Sequence, residues 1–389
     1  MMNPITKLLH QFEFPHENGD AVVPPILASS YFTARSYEEW AERGGKNDRL
    51  RIGQPDNPTV EILEQKLAVL ENGESCRCFA SGPAAIAGTI LAFVKSGDHV
   101  LCMQNVSPLA RPLFREYLPR FGVEVTFVDG SREADIEQAL KENTALIYLE
   151  SPSPSLFSMR DLRAIAGIAQ SRGIITAIDN TWATPLFQNP LDHGIDLVIH
   201  SSVEYLSGHS DMEGGAVIGS MDKVKQIKEK GADVHGAVLS PVQAWFMLRG
   251  LRTLAVRMRR YQQSSLQIAR MLQDHPAVEE VYYPGSPDYG QQELADRYLR
   301  GFSGVMSVAL KGTEAHVKRF VNALRLFRIG GGWGGYNSTV TPLGPDSLND
   351  AGEMLVRLSI GLEDTEDLKI DLLRALDHAL TGKGGDHLE

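Results

Sequence analysis

At 389 residues the chain has room for two or three compact units, each with its own core. A hydrophobic share of 43% with 22% charged residues excludes wholesale disorder. A formal net charge of -11 speaks against a nucleic-acid partner, which requires a concentrated basic face, and points to an acidic, solvated surface.

The N-terminal stretch MMNPITKLLHQFEFPHENGD carries neither a long apolar core nor a small-residue cleavage site, and no later run is long and apolar enough to span a bilayer. The expectation is a cytoplasmic protein with no membrane partner. Residues 1–58 read as an irregular arm. TVEILEQKLAVLENGE follows, with Val60, Leu63, Leu67 and Leu70 at helical spacing, Thr59 placed to cap its start and Gly73 to stop it. Cys76, Cys78 and Cys102 come next; no second Cys pair or His cluster completes a zinc site, so they read as buried thiols in a reducing compartment.

Apolar runs of strand length then alternate with helical segments. HVLCM, VEVTFV, ALIYLE, IITAID and LVIHS are the strands; READIEQALKEN and RDLRAIAGIAQSRG are among the helices. This alternation predicts a mostly parallel sheet covered on both faces, with a site at the carboxyl ends of the strands. IITAID ends at Asp179 and LVIHS runs into HSSVEYLSGHSD, so those two stretches are expected to face one pocket. A long helical stretch from Pro241 to Gln273 leads to GVMSVALKG, LVRLSIGLED and TEDLKIDLLRALDHAL, which read as a smaller α+β unit. The expected division is an arm at 1–58, a large α/β domain at 59–256 and a C-terminal domain at 257–389.

DNTWATPLFQNP, followed by DLVIHS, GHSD, WGGY and RLSIGLED, resembles the Cys/Met metabolism family of pyridoxal-phosphate (PLP) enzymes, and most of all its cystathionine β-lyases. The likeness runs from VVPPILASSYF to the last helix. It implies the type I, aspartate-aminotransferase-like α/β fold and a homotetramer of dimers, in which the arm contributes to the neighbour's site. It also implies that Asp179 pairs with the pyridinium nitrogen, that Gly82 and Ser201 with Arg49 and Arg51 cup the phosphate, and that Arg357 grips a substrate carboxylate.

Several positions depart from the family pattern. Glu204 of HSSVEY stands where the family has its Schiff-base lysine, and a carboxylate forms no imine. Pro83 offers no N–H, Val203 no hydroxyl and Ser107 no ring to stack on the cofactor, while Gly332 and Asn337 replace a serine and a glutamate. Since these changes line one pocket, the expectation is a degenerate homologue: no covalently bound PLP, an amino-acid-like or anionic small-molecule ligand, and Glu204 with Asp179 as acid/base pair. The plainer alternative for Glu204 is an ion pair with Arg49, Arg51 or Arg111. Trp333 and Tyr336 read as apolar lining, and no metal is expected at His200, His209 and Asp211. Two other readings stay open: a non-catalytic partner of an active paralogue, and a carbon–sulfur lyase with noncovalently bound PLP.

Overall fold

A computed structural model describes residues 3–12, 21–29, 31–43, 57–343 and 354–381. Its large sheet has seven strands: β1 (Ser75–Phe79), β2 (His99–Met103), β3 (Glu124–Val128), β4 (Thr144–Glu150), β5 (Ile175–Asp179), β6 (Leu197–Ser201) and β7 (Gly215–Gly219). Their spatial order is β1-β7-β6-β5-β4-β2-β3. The run from β6 to β3 is parallel throughout, and β7 lies antiparallel to both its neighbours. β2, β6 and β7 are buried along almost their whole length, as strands covered on both faces must be.

The second sheet is built from β8 (Val278–Tyr282), β9 (Val305–Leu310), β10 (Arg328–Ile329), β11 (Thr339–Pro342) and β12 (Leu355–Ser359), in the order β10-β11-β12-β9-β8. Its β11, β12, β9 and β8 run antiparallel, and the helices Glu314–Ala323 and Thr365–Thr381 pack on one another beside it. This is the type I fold of PLP enzymes: a large, mostly parallel sheet with a smaller α+β portion. The helical stretch from Pro241 to Gln273 is two helices, Pro241–Leu251 and Leu254–Gln273; residue 256 lies within the second.

The first long helix, Pro58–Leu70, starts two residues earlier than a cap at Thr59 would allow. Asn57 is its cap, accepting from the Thr59 N–H, and Pro58 occupies the first turn, where its missing N–H leaves no bond unmade. Thr59 instead binds the arm: its Oγ1 donates to the Pro25 carbonyl and accepts from the Leu27 N–H, both at 3.0 Å. All three cysteines are free and buried.

Between the sheets, Arg257 donates Nη1 to the Tyr205 carbonyl at 2.8 Å and Nη2 to the Gly250 carbonyl at 2.9 Å. Gly208 makes that approach feasible, since its φ is +68° and a Cβ there would run into the guanidinium. Gly208→Ala combines a left-handed backbone penalty with overpacking and should destabilise the chain by about 2–4 kcal/mol. A denaturant midpoint equal to wild type would remove this account of the turn.

Candidate functional site

The carboxyl ends of the parallel strands gather the polar side chains. β4 and β5 each finish on a carboxylate, and the sheet register sets Glu150 directly beside Asp179. Thr181 organises the end of β5. Its N–H and its Oγ1 both donate to Asp179 Oδ1, at 2.9 and 2.5 Å, and its Oγ1 accepts from the Ser201 N–H at 2.8 Å, which ties β5 to β6. Asp179 Oδ2 takes no hydrogen bond among the described residues and is left for a further donor. Glu150 accepts from the Ser107 N–H at 2.9 Å and the Tyr148 hydroxyl at 3.3 Å. Burial and the neighbouring Asp179 push the Glu150 carboxyl up to about 8, and burial also raises Asp179. Ser107 therefore serves Glu150 through its backbone.

Across from these, Ser81 caps the 12-residue helix Gly82–Phe93, its side chain accepting from the Ala84 N–H. Gly82 lies against β6: a Cβ added to it would come within 2.7 Å of the Ser201 Cβ. Gly82 and Ser201 are thus brought together at a helix N-terminus, where an anion is favoured. Gly82→Ala should force this junction apart and cost about 1–3 kcal/mol. Unchanged stability and unchanged phosphate affinity in that variant would show that the junction has slack.

Glu204 follows β6 on the turn closed by the Gly208 N–H to the Glu204 carbonyl, 2.8 Å. The side chain is only 6% exposed, and its Oε2 is buried without any hydrogen-bond partner among the described residues. Burial pushes its carboxyl up to about 7; the Ser201 hydrogen bond opposes this and the Asp179 charge adds to it. Arg357 projects from β12 with Nη2 bonded to the Gly331 carbonyl at 2.8 Å. Glu204 and Arg357 influence one another electrostatically but form no ion pair within 4.0 Å among the described residues. Arg111 forms none with Glu204 either.

Trp333 meets Tyr205 edge-on with ring centroids 5.4 Å apart, while Tyr336 stays 56% exposed. His200 turns away from the strand-end carboxylates and bonds Glu71 through Nε2 at 2.5 Å, in a buried network with Asn180 and Asn189. No group of three or more His, Cys, Asp or Glu among the described residues could hold a metal. Arg49 and Arg51 lie outside the described residues. Glu150 is the member that sequence reasoning missed; ALIYLE and IITAID both close on a carboxylate, and that parallel was the available signal.

A separate apolar groove of about 460 Å³ runs along the far flank of the Gly82–Phe93 helix, lined by Pro83, Leu91, Leu109, Leu113 and Tyr117 among others. It includes none of Asp179, Glu204 or Arg357. No described helix is long and apolar enough to cross a membrane.

A model of the family described as Cys/Met metabolism PLP-dependent enzyme matches residues 5–377. The chain is 38% identical to an L-methionine gamma-lyase of Pseudomonas deceptionensis over 95% of this chain and 96% of that protein. It is 35% identical to a cystathionine gamma-lyase of Bacillus subtilis, covering 97% and 100%, and 36% identical to an O-succinylhomoserine sulfhydrylase of Pseudomonas aeruginosa, covering 92% and 91%. These findings overturn two expectations. The degenerate homologue and the absence of covalently bound PLP both took local replacements around Glu204 as loss of the chemistry. Similarity spread over nearly the whole length to such enzymes, within a family described as PLP-dependent, counts against both.

Proposed function

We propose that this chain, which belongs to the Cys/Met metabolism family of PLP-dependent enzymes, is a carbon–sulfur lyase acting on a sulfur-bearing amino acid. The observation that carries the reading is Asp179, held through Oδ1 by Thr181 with Oδ2 open, at a strand end that also meets the capped N-terminus at Ser81 and Gly82. Those groups fit a phosphorylated pyridine: Asp179 for the ring N–H, Gly82 and Ser201 for the phosphate. At the aldehyde end Glu204, which by the family resemblance stands at the lysine position, supplies no amine of its own. No step is therefore routed through that end.

When bound, the cofactor supplies an electron sink that stabilises negative charge developing on the substrate. The chain's own residues do the rest. Asp179 would pair with the ring nitrogen and Arg357 would hold a substrate carboxylate, while Glu150 fixes the Ser107 segment. Trp333 and Tyr205 wall the space with aromatic surface. Cleavage of a substrate such as L-methionine, with uptake of water, would release a thiol, ammonia and a 2-oxo acid. The reading includes a homo-oligomer, since the described arm exposes Val22, Tyr31 and Tyr37; light scattering of the purified chain checks it.

The test is to saturate the chain with PLP, remove the excess, record the visible spectrum, reduce with borohydride, map the labelled peptide, and assay thiol and 2-oxo acid from L-methionine and cystathionine. Retained chromophore with product formation is expected; neither would end the reading. Glu204→Lys should add a reducible adduct on the peptide that contains position 204. An unlabelled peptide there would mean that this side chain does not face the aldehyde end.

A further inference from the structure

We propose that Glu204 is the receptor for the amino group of a free amino-acid zwitterion whose carboxylate is held by Arg357. The inference rests on the lyase reading for its ligand class, but on separate observations for its geometry. Glu204 is 6% exposed, and its Oε2 is buried with no donor, a cost that a bound N–H group would relieve. Oε2 is therefore an acceptor position left open. Arg357 has Nη2 fixed by the Gly331 carbonyl at 2.8 Å, while Nε and Nη1 take no hydrogen bond among the described residues.

No ion pair within 4.0 Å joins the two among the described residues, yet one loop links them: its Gly331 carbonyl holds Arg357 and its Gly334 packs on Glu204. Opposite charges held apart in this way match a ligand that carries both signs on neighbouring atoms. The glycine-rich loop shapes the gap. Gly334 packs on Glu204, where an added Cβ would sit 3.0 Å from the Glu204 Cβ, whereas a Cβ at Gly331 or Gly332 would meet nothing within 4 Å. The wall is closed behind the carboxylate and open beside the guanidinium. A second carboxylate ligand is disfavoured at Glu204 by Asp179, and a metal by the lack of a third donor cluster among the described residues.

The residue would thus set specificity for the charged amino group. Isothermal titration of the full chain before PLP is added, with cofactor content verified by absorbance, tests it using L-norleucine and hexanoate. Norleucine matches methionine in shape but has no sulfur leaving group. Wild type is expected to prefer norleucine by at least ~10-fold, a difference of about 1.4 kcal/mol. Glu204→Gln should erase that preference without weakening hexanoate, and Arg357→Gln should weaken both ligands. Equal binding of the two ligands by wild type, no binding of norleucine, or a preference that survives in a folded Glu204→Gln chain would each overturn the proposal. If Glu204→Gln fails to fold, Glu204→Ala replaces it under the same criterion. Failure of the lyase reading looks different: norleucine preference dependent on Glu204, with no 2-oxo acid formed from L-methionine in the PLP-loaded chain.

Discussion

Replacing Asp179 by alanine is expected to lower carbon–sulfur cleavage by ~100-fold or more while the fold survives, because a preorganised charge beside a reacting system is worth that much. Asp179 ends β5, and both Thr181 donors converge on Oδ1 at 2.9 and 2.5 Å, so the direction of Oδ2 is fixed before any ligand arrives. Burial holds its carboxyl above the usual range, which makes the ionised form costly unless a cation comes opposite. A pyridinium N–H is such a cation, and the pairing would favour both partners in their charged states. Asp179→Asn keeps the shape and the Thr181 contacts but not the charge, so it should lose most of the activity as well. The measurement is kcat for L-methionine with cofactor occupancy read from absorbance. Turnover within threefold of wild type in the alanine variant, at full occupancy, would remove Asp179 from the role given to it.

The strands were legible where burial is symmetrical. LVIHS is the observed β6 without adjustment, and HVLCM is β2, because a strand covered on both faces is an uninterrupted apolar run. β1 was not legible. Its SCRCF places an arginine mid-strand, and only the fold reveals that Arg77 is buried with Glu64 at 3.6 Å. β7, GAVIG, is bounded by glycines that read as loop, yet it is the antiparallel strand that joins β1 to the parallel run. The break at Arg252 and Thr253 between the two long helices has no proline or glycine within it to announce it.

The site was legible by type more than by partnership. Gly82 meets Ser201, and Thr181 ties Ser201 to Asp179 at the strand ends. Glu204 pairs with no arginine among the described residues, and that follows from distances that no spacing encodes. Reading the replacements around it as lost function failed for a different reason. A handful of positions records local chemistry, whereas relatedness is spread over the core that the whole length builds. Glu150 shows the same limit in reverse: it resembles an ordinary strand terminus until the register with Asp179 is known.

The titration of Glu204 should be visible in stability. Its carboxyl is raised from 4.5 in the unfolded chain to about 7 in the folded one, so the folded state holds a proton that the unfolded state has released across that interval. A raised acid contributes stability that is fully present below the unfolded value and lost as pH climbs through the folded value. The loss should begin above pH 4.5, be complete a little above 7, and amount to about 3 kcal/mol. Glu150 adds a second decline that extends to about 8, for the same reason. Glu204→Gln keeps the shape and removes the proton, so it isolates the first contribution from the second. Relative to wild type, the variant should gain about 3 kcal/mol of unfolding free energy between pH 4.5 and pH 8, measured by urea melts across the range. A constant difference at every pH would mean that Glu204 stays ionised in the folded chain. A cation would then have to lie nearer to it than Arg357 does, and its buried Oε2 would already be satisfied.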